Sequence, residues 1–231
     1  MKAGEGEAAE KGGGADRQRN VHEWLGEWPE NPPNGVVVVL HVGPELSMRR
    51  PVRADPGRVR MAPFAMEIRK QAGDFGLAVL QPQYSVRGWN GAARSPVAGV
   101  EELLDAVVSA FGPIPVALVG HSMGGRIAAT LAVRPEVAVV VGLAPWWPDD
   151  EGRFLRSGQR VLVLHGRGDR VVDPESSRVQ IEAAARRGVD AIWHSMPGGH
   201  GMLRDWSAWH RLTAEFVVPR MIAAAGPRLK P

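Results

Sequence analysis

A serine within a short glycine-rich segment is the strongest constraint on how this chain can fold. Residues 120–125 read Gly-His-Ser-Met-Gly-Gly and follow directly after the apolar run 115–119. Residues 126–133 are good helix formers and end just before Pro135. The pattern therefore predicts a strand, a tight turn and a helix in this order. Such a turn lifts the Ser122 hydroxyl above the edge of a sheet and aims a helix N-terminus at it.

Two interpretations of this segment are open from the motif alone: Ser122 as a nucleophile, or a plain glycine-rich turn. The small neighbours favour the first, because the serine backbone is strained in such a turn and a bulky neighbour would clash. A serine hydroxyl is a weak nucleophile at neutral pH, so it needs a base that is itself oriented by an acid. The rest of the chain must supply both.

Two later loops supply candidates for these roles. The strand-like run 161–165 leads into Gly-Arg-Gly-Asp-Arg, which places Asp169 at the end of a strand. The run 191–193 leads into Met-Pro-Gly-Gly-His-Gly-Met, which places His200 in another glycine-rich loop. In a parallel sheet these loops emerge at one edge, so Ser122, Asp169 and His200 can converge.

Each of these candidates has rivals. Asp173 competes with Asp169, but it precedes Pro174 and a predicted helix, which favours a capping role. His194 competes with His200, although it lies at a strand end. His165 is interpreted as a buried, hydrogen-bonded residue, and the His121 side chain is expected to point away from the attacking oxygen.

At this point the chain resembles the α/β-hydrolase family. The resemblance rests on Gly-His-Ser-Met-Gly-Gly at 120–125, Gly-Arg-Gly-Asp-Arg-Val-Val at 166–172 and Gly-Gly-His-Gly at 198–201, and it spans about residues 35–220. It implies a Ser-His-Asp triad of Ser122, His200 and Asp169, with an acyl-enzyme intermediate. It says little about the substrate, because this fold hosts many chemistries.

The resemblance also implies an oxyanion hole. The backbone N–H of Met123 is one expected donor. The second is expected from the loop His41-Val42-Gly43-Pro44, where Gly43 is the first choice and Val42 the second. Family members often carry His-Gly here, and this chain has the β-branched Val42 in place of that glycine.

Alternating strand-like and helical runs predict an α/β fold with a mostly parallel sheet of about six strands and helices on both faces. Without a clear pair of strands before residue 35, we expect a reduced form of the family's sheet. The predicted strands are 36–40, 76–80, 115–119, 137–143, 160–165 and 190–194. The predicted helices are 59–72, 96–111, 123–133, 175–187 and 204–218.

The segment 143–159 is too short for a helical cap domain, although it can hold one helical turn, so we expect an open site. Trp146 and Trp147 are either an apolar wall for the substrate or core and rim residues. Trp89 is a second candidate wall, with simple packing over the sheet edge as the alternative. Trp206 and Trp209 recur at helical spacing and are expected in the core.

Composition bounds the remaining expectations. The 231 residues suit a single domain over 21–231, preceded by a glycine-rich, charged tail over 1–20 that we expect to be disordered. No segment has the pattern of a signal peptide or a membrane span, and the absence of cysteine fits a cytoplasmic protein. The net charge of +3 comes from scattered arginines, so nucleic acid is not expected as a partner.

The expected function is that of a serine hydrolase that cleaves carboxylic esters or thioesters of small molecules, with no metal or cofactor. An acyltransferase or cyclase with the same triad is an alternative, because both share the acyl-enzyme. A non-catalytic binding module on the same fold is a third interpretation. The sequence does not indicate the acyl group, the leaving group or the oligomeric state.

Overall fold

Six parallel strands form one sheet in the computed structural model, which describes residues 29, 31–52 and 55–226. The predicted disordered tail over 1–20 lies outside the described residues. The strand order is β2-β1-β3-β4-β5-β6, and every neighbouring pair is parallel. The strands are β1 (Gly35–Leu40), β2 (Leu77–Leu80), β3 (Val116–His121), β4 (Val137–Leu143), β5 (Arg160–Gly166) and β6 (Asp190–Met196). The predicted α/β sheet of six strands is confirmed.

Within the described residues, five α-helices connect or follow the strands, close to their predicted positions. They are α1 (Pro56–Ala72), α2 (Ser95–Phe111), α3 (Met123–Leu131), α4 (Pro174–Arg186) and α5 (Trp206–Ala225). Asp55 and Asp173 begin α1 and α4 by accepting the N–H groups of Gly57 and Glu175. Among the described residues, no helix is long and apolar enough to cross a membrane.

The helices cover both faces of the sheet. In β1, Val36, Val38 and Leu40 belong to one hydrophobic cluster, whereas Val37 and Val39 belong to another. The first cluster contains the buried side chains of α2, α3 and α4, and the second contains those of α1 and α5. All six residues of β1 are buried, which explains why this strand reads as an unbroken apolar run.

The order of the strands fixes where the site lies. The chain moves from β1 outward to β2, then returns to the other side of β1 to form β3. At such a reversal, the loops after β1 and β3 diverge and leave a crevice outside the carboxyl ends of the strands. The loops that carry Ser122, Asp169 and His200 follow β3, β5 and β6, and all three lie at this edge.

Candidate active site

Ser122 has a strained backbone at the junction between β3 and α3. Its φ is 54° and its ψ is −113°, a conformation that residues with a side chain rarely adopt. Three hydrogen bonds hold it: its N–H donates to Leu143 O at 3.0 Å, and its carbonyl accepts from Trp146 at 3.1 Å and Arg126 at 3.2 Å. The predicted strand, tight turn and helix are present, with Ser122 at the turn.

The glycines on either side of Ser122 are required by close backbone approaches. A Cβ atom on Gly120 would lie 2.1 Å from Gly124 O, and one on Gly124 would lie 2.4 Å from Leu40 O. Any side chain at these positions would push α3 away from β1 and β3. The motif spacing therefore follows from how tightly the helix turns back over the sheet.

Asp169 has a fully buried carboxylate that accepts four hydrogen bonds. Oδ1 accepts from the backbone N–H groups of Val171 at 2.8 Å and Val172 at 3.0 Å. Oδ2 lies 2.8 Å from Nδ1 of His200 and 3.1 Å from Nε2 of His165. Burial alone would raise the pKa of Asp169, but the bonds from Val172, Val171 and His200 outweigh it and hold the pKa below its ordinary value. The group is therefore an anion at neutral pH.

His200 is held on Asp169 by the pairing of two glycine-rich loops. Gly168 donates to Gly198 O at 2.9 Å, and a Cβ atom on Gly166 would lie 2.6 Å from that same oxygen. The loops after β5 and β6 therefore form one unit, in which Asp169 and His200 meet. Although histidines and an aspartate gather here, the described part of the chain contains no group of three acidic or histidine side chains arranged to hold a metal ion.

His121 joins this unit to the turn at Ser122. Its Nε2 lies 2.9 Å from the carbonyl oxygen of His200, and the two rings are 5.0 Å apart. A carbonyl only accepts, so Nε2 carries the proton. Among the described residues, no hydrogen bond joins Ser122 Oγ to the His200 ring, and the neighbouring His121 donates to the His200 loop instead.

His121 is a neutral ring in the folded protein. Its side chain is fully buried, and its Nδ1 has no hydrogen-bond partner among the described residues. Burial, with a further contribution from neighbouring His200, lowers the pKa of His121 to about 3. The ring is directed to the loop of His200, and the expectation that it points away from the serine hydroxyl stays a prediction.

The loop after β1 lies against the start of α3. A Cβ atom on Gly43 would lie 2.4 Å from the Cε atom of Met123, so this glycine permits close contact between them. Met123 is the first residue of α3, and its N–H has no partner within the helix. Val42 directs its carbonyl to Nδ1 of His41 at 2.8 Å, and the His41 ring stacks on Tyr84 at 4.1 Å.

Two of the three candidate wall tryptophans belong to the core. Trp147 is 1% exposed and its indole N–H donates to Gly125 O at 3.0 Å, while Trp89 is 3% exposed. The interpretation of Trp147 and Trp89 as exposed walls is therefore wrong, because their surfaces are used in packing. Trp146 is partly exposed and meets Trp89 edge to face at 6.3 Å.

A buried arginine, which the sequence analysis did not identify, holds these loops together. The guanidinium carbon of Arg126 lies 4.2 Å from the Trp89 ring and 4.6 Å from the Trp146 ring. Its Nε donates to the buried Glu151 at 2.7 Å, and it also pairs with Asp149. Cation–π contacts and ion pairs thus connect α3 to the loops after β2 and β4. Its only sequence signal was a charged residue within an apolar helix.

The rival candidates lie away from the Asp169 carboxylate or serve other purposes. His194 is exposed on β6, and Asp173 caps α4 as expected. His165 is fully buried and hydrogen-bonded, also as expected. Trp209 is in the core, but Trp206 is 57% exposed, so the expectation for Trp206 was wrong; its ring packs on His210 at 4.9 Å.

The segment between β4 and β5 contains a single 3₁₀ turn, Glu151–Phe154. This agrees with the prediction of one helical turn at most. No cap domain covers the sheet edge at this point of the chain.

Solved structures similar to this chain include esterases and serine hydrolases. An esterase from Pyrococcus furiosus, Pf2001, matches with a TM-score of 0.66 and 13% identity over 84% of this chain and 86% of the esterase. Est1E from Butyrivibrio proteoclasticus, solved with ferulic acid bound, matches at 0.61 and 14% over 86% and 94%. XC6422 from Xanthomonas campestris, a serine hydrolase without a lid, matches at 0.60 and 18% over 82% and 84%.

No protein-family model and no curated protein matches this chain. At identities of 13–18% the structural likeness concerns the fold alone. The resemblance inferred from the three motifs is confirmed at this level: the chain has the α/β-hydrolase fold, in a form without a cap between β4 and β5.

The Arg126 cluster generates a prediction about stability. Arg126→Met leaves Glu151 buried without its cation, which typically costs about 3–5 kcal/mol. We expect urea denaturation to show a loss of this size in the free energy of unfolding. The matched control is Arg211→Met, because Arg211 pairs with Glu215 on an exposed face of α5 and should contribute less than about 1 kcal/mol. Equal losses in the two variants would contradict the role given to Arg126.

His121 generates a prediction about pH. In the unfolded chain a histidine binds a proton below about pH 6.5, whereas the lowered pKa of His121 excludes it from the folded state. Stability should therefore fall as the pH drops from about 6.5 toward the folded pKa.

Urea denaturation at about pH 7 and about pH 4.5, above the ordinary pKa of aspartate, measures this loss. His121→Gln should lessen it by up to about 1.4 kcal/mol per pH unit. His194→Gln is the control, because that ring is exposed in the fold and should leave the loss unchanged. The same pH dependence in His121→Gln and the unaltered protein would refute the assignment.

Proposed function

We propose that this chain is a serine hydrolase that cleaves carboxylic esters or thioesters through Ser122, His200 and Asp169. The observation that carries the proposal is the 2.8 Å contact between His200 Nδ1 and the fully buried Asp169 carboxylate. It lies at the same sheet edge as the strained turn of Ser122. The reaction needs no metal or cofactor in this proposal.

His200 is the general base in the proposed mechanism. Because a carboxylate only accepts, Nδ1 of His200 carries a proton and the neutral ring has its free lone pair on Nε2. Nε2 then takes the Ser122 proton as Oγ attacks the acyl carbon. The proton passes on to the leaving group, and water activated by the same ring releases the acyl-enzyme. Asp169 stabilises the imidazolium that forms in each step.

The oxyanion of the tetrahedral intermediate needs N–H donors beside Ser122. The Met123 N–H at the start of α3 is the first that we propose, because it has no partner in the helix. Gly43 is the second, and its support is the close contact between Gly43 and the Met123 side chain. Val42 is the less favoured donor, because its β-branched side chain restricts the backbone at this position.

The substrate class is a small-molecule acyl ester of modest size. Trp146 offers a partly exposed aromatic surface beside the turn, held in place by Arg126. The short segment between β4 and β5 contributes one 3₁₀ turn and no cap domain of its own beside this surface. Est1E was solved with ferulic acid, a carboxylic acid, and such an acid is the acyl product of ester hydrolysis.

Replacing the proposed nucleophile tests the function. Ser122→Ala should lower turnover of p-nitrophenyl esters by on the order of 10⁶-fold and abolish labelling by a fluorophosphonate probe. Ser207→Ala, which alters an exposed serine at the start of α5, should leave both unchanged. A series of esters with rising chain length identifies the preferred acyl group.

The same assay separates the two alternatives. Faster release of the acyl group to added alcohols or amines than to water would favour an acyltransferase. A folded protein that neither labels nor turns over esters would favour a binding module. A Ser122→Ala variant that kept most of the activity would refute the proposed triad.

A further inference from the structure

A second histidine lies on the carboxylate that holds His200. Nε2 of His165 is 3.1 Å from Oδ2 of Asp169, and His200 Nδ1 is 2.8 Å from that same oxygen. The side chains of His165 and Asp169 are both fully buried. In addition to the His200 of the proposed mechanism, Asp169 therefore binds a second histidine, which lies in the protein interior.

The proton positions on His165 follow from its partners. The Asp169 carboxylate is ionised and can only accept, so Nε2 of His165 must donate. Burial lowers the pKa of His165, and the ring is therefore neutral with its lone pair on Nδ1. In this tautomer His165 gives one N–H to Asp169 and accepts one bond on its other side.

Ser177 supplies that bond. Its Oγ lies 2.8 Å from Nδ1 of His165, and the Trp193 indole N–H donates to the same Oγ at 3.0 Å. Oγ is also 3.0 Å from Pro174 O, the other acceptor for its single proton. Because Nδ1 of His165 has a lone pair to satisfy, the hydroxyl proton is directed to the ring. The hydrogen bonds then run in one direction, from Trp193 through Ser177 and His165 to Asp169.

We propose that His165 is a positioning residue that tunes the base: its N–H shares Oδ2 with His200 and so reduces the negative charge that Asp169 presents to the His200 ring. Ser177 and Trp193 keep His165 in the tautomer that can do this. This inference rests on the proposed function, since it assumes that Asp169 and His200 are the acid and base of hydrolysis. It explains why a histidine occupies the fully buried, penultimate position of β5.

The consequence for pH has a definite sign. A carboxylate oxygen that loses one of two N–H donors becomes a stronger acceptor for the other. The imidazolium form of His200 is then better stabilised, and a higher pH is needed to free the base. The ionisable groups facing this cluster are Asp169, His200 and His165 themselves, His121 from β3 and Arg60 from α1.

The test compares two replacements of His165. His165→Phe removes the donor to Asp169, whereas His165→Gln retains an N–H that can reach it. In the unaltered protein kcat/KM for p-nitrophenyl acetate should rise with pH as the base is freed. We expect His165→Phe to shift the midpoint of this rise to higher pH by about half to one pH unit. In His165→Gln the midpoint should lie close to that of the unaltered protein. A uniform loss of activity with an unmoved rise would make His165 a packing residue and overturn the proposal.

Ser177→Ala gives a second route that leaves the His165 ring in place. Without the hydroxyl, the ring loses the partner that fixes its tautomer, so the rise should move in the same direction by a smaller amount. This variant keeps the test decisive if His165→Phe does not fold. An unmoved rise in Ser177→Ala then counts against the proposal.

A measurement without turnover separates this inference from the proposed function. In a Ser122→Ala background, nitrogen NMR follows the titration of the His200 ring directly. Adding His165→Phe should move its midpoint to higher pH, and an unchanged midpoint would overturn the inference. Failure of the proposed function has a different signature: the unaltered protein would be neither active nor labelled at Ser122, whatever the NMR titration shows.

Discussion

The strained backbone at Ser122 is the constraint on which the arrangement of the site depends. A residue with a side chain at φ 54° typically costs about 1–3 kcal/mol, so other contacts must hold it. Those contacts come from Leu143 at the end of β4 and from Trp146 in the following loop, as well as from α3 itself. The turn is therefore stable only once β3 and β4 have paired. The position of the Ser122 hydroxyl is therefore determined by contacts in the folded sheet as well as by the motif.

The contact between Asp169 and His200 likewise depends on neighbouring strands of the sheet. The loops after β5 and β6 join through the contact between Gly168 and Gly198, and Asp169 and His200 meet within that pair. His121 then bonds the carbonyl of His200, although it belongs to the strand that ends at Ser122. The turn of Ser122 and the loop of His200 are thus joined by a hydrogen bond between residues of different strands and loops of one sheet.

The predictable part of this protein lies in its local patterns. Apolar runs and glycine-rich turns indicated the six strands and the loops of Asp169 and His200, because periodicity and turn chemistry are written in neighbouring residues. Arg126 could not be placed in this way, since its partners Trp89 and Glu151 come from different loops. The prediction that Trp206 is buried was wrong for a related reason. Its helical spacing from Trp209 indicates a shared side of the helix, but not whether the sheet extends to that turn of the helix.

Neutral histidines around His200 connect the chemistry of the site to its stability. Two charged rings 5.0 Å apart would repel by about 3 kcal/mol at an effective dielectric constant of 20. Burial lowers the pKa values of His121 and His165, so neither ring opposes a proton on His200 at neutral pH. The same burial makes the folded state reject protons that the unfolded chain accepts, which destabilises it in acid. In the proposed mechanism, the buried surroundings in which Asp169 stabilises the His200 imidazolium therefore also lower the stability of the fold in acid.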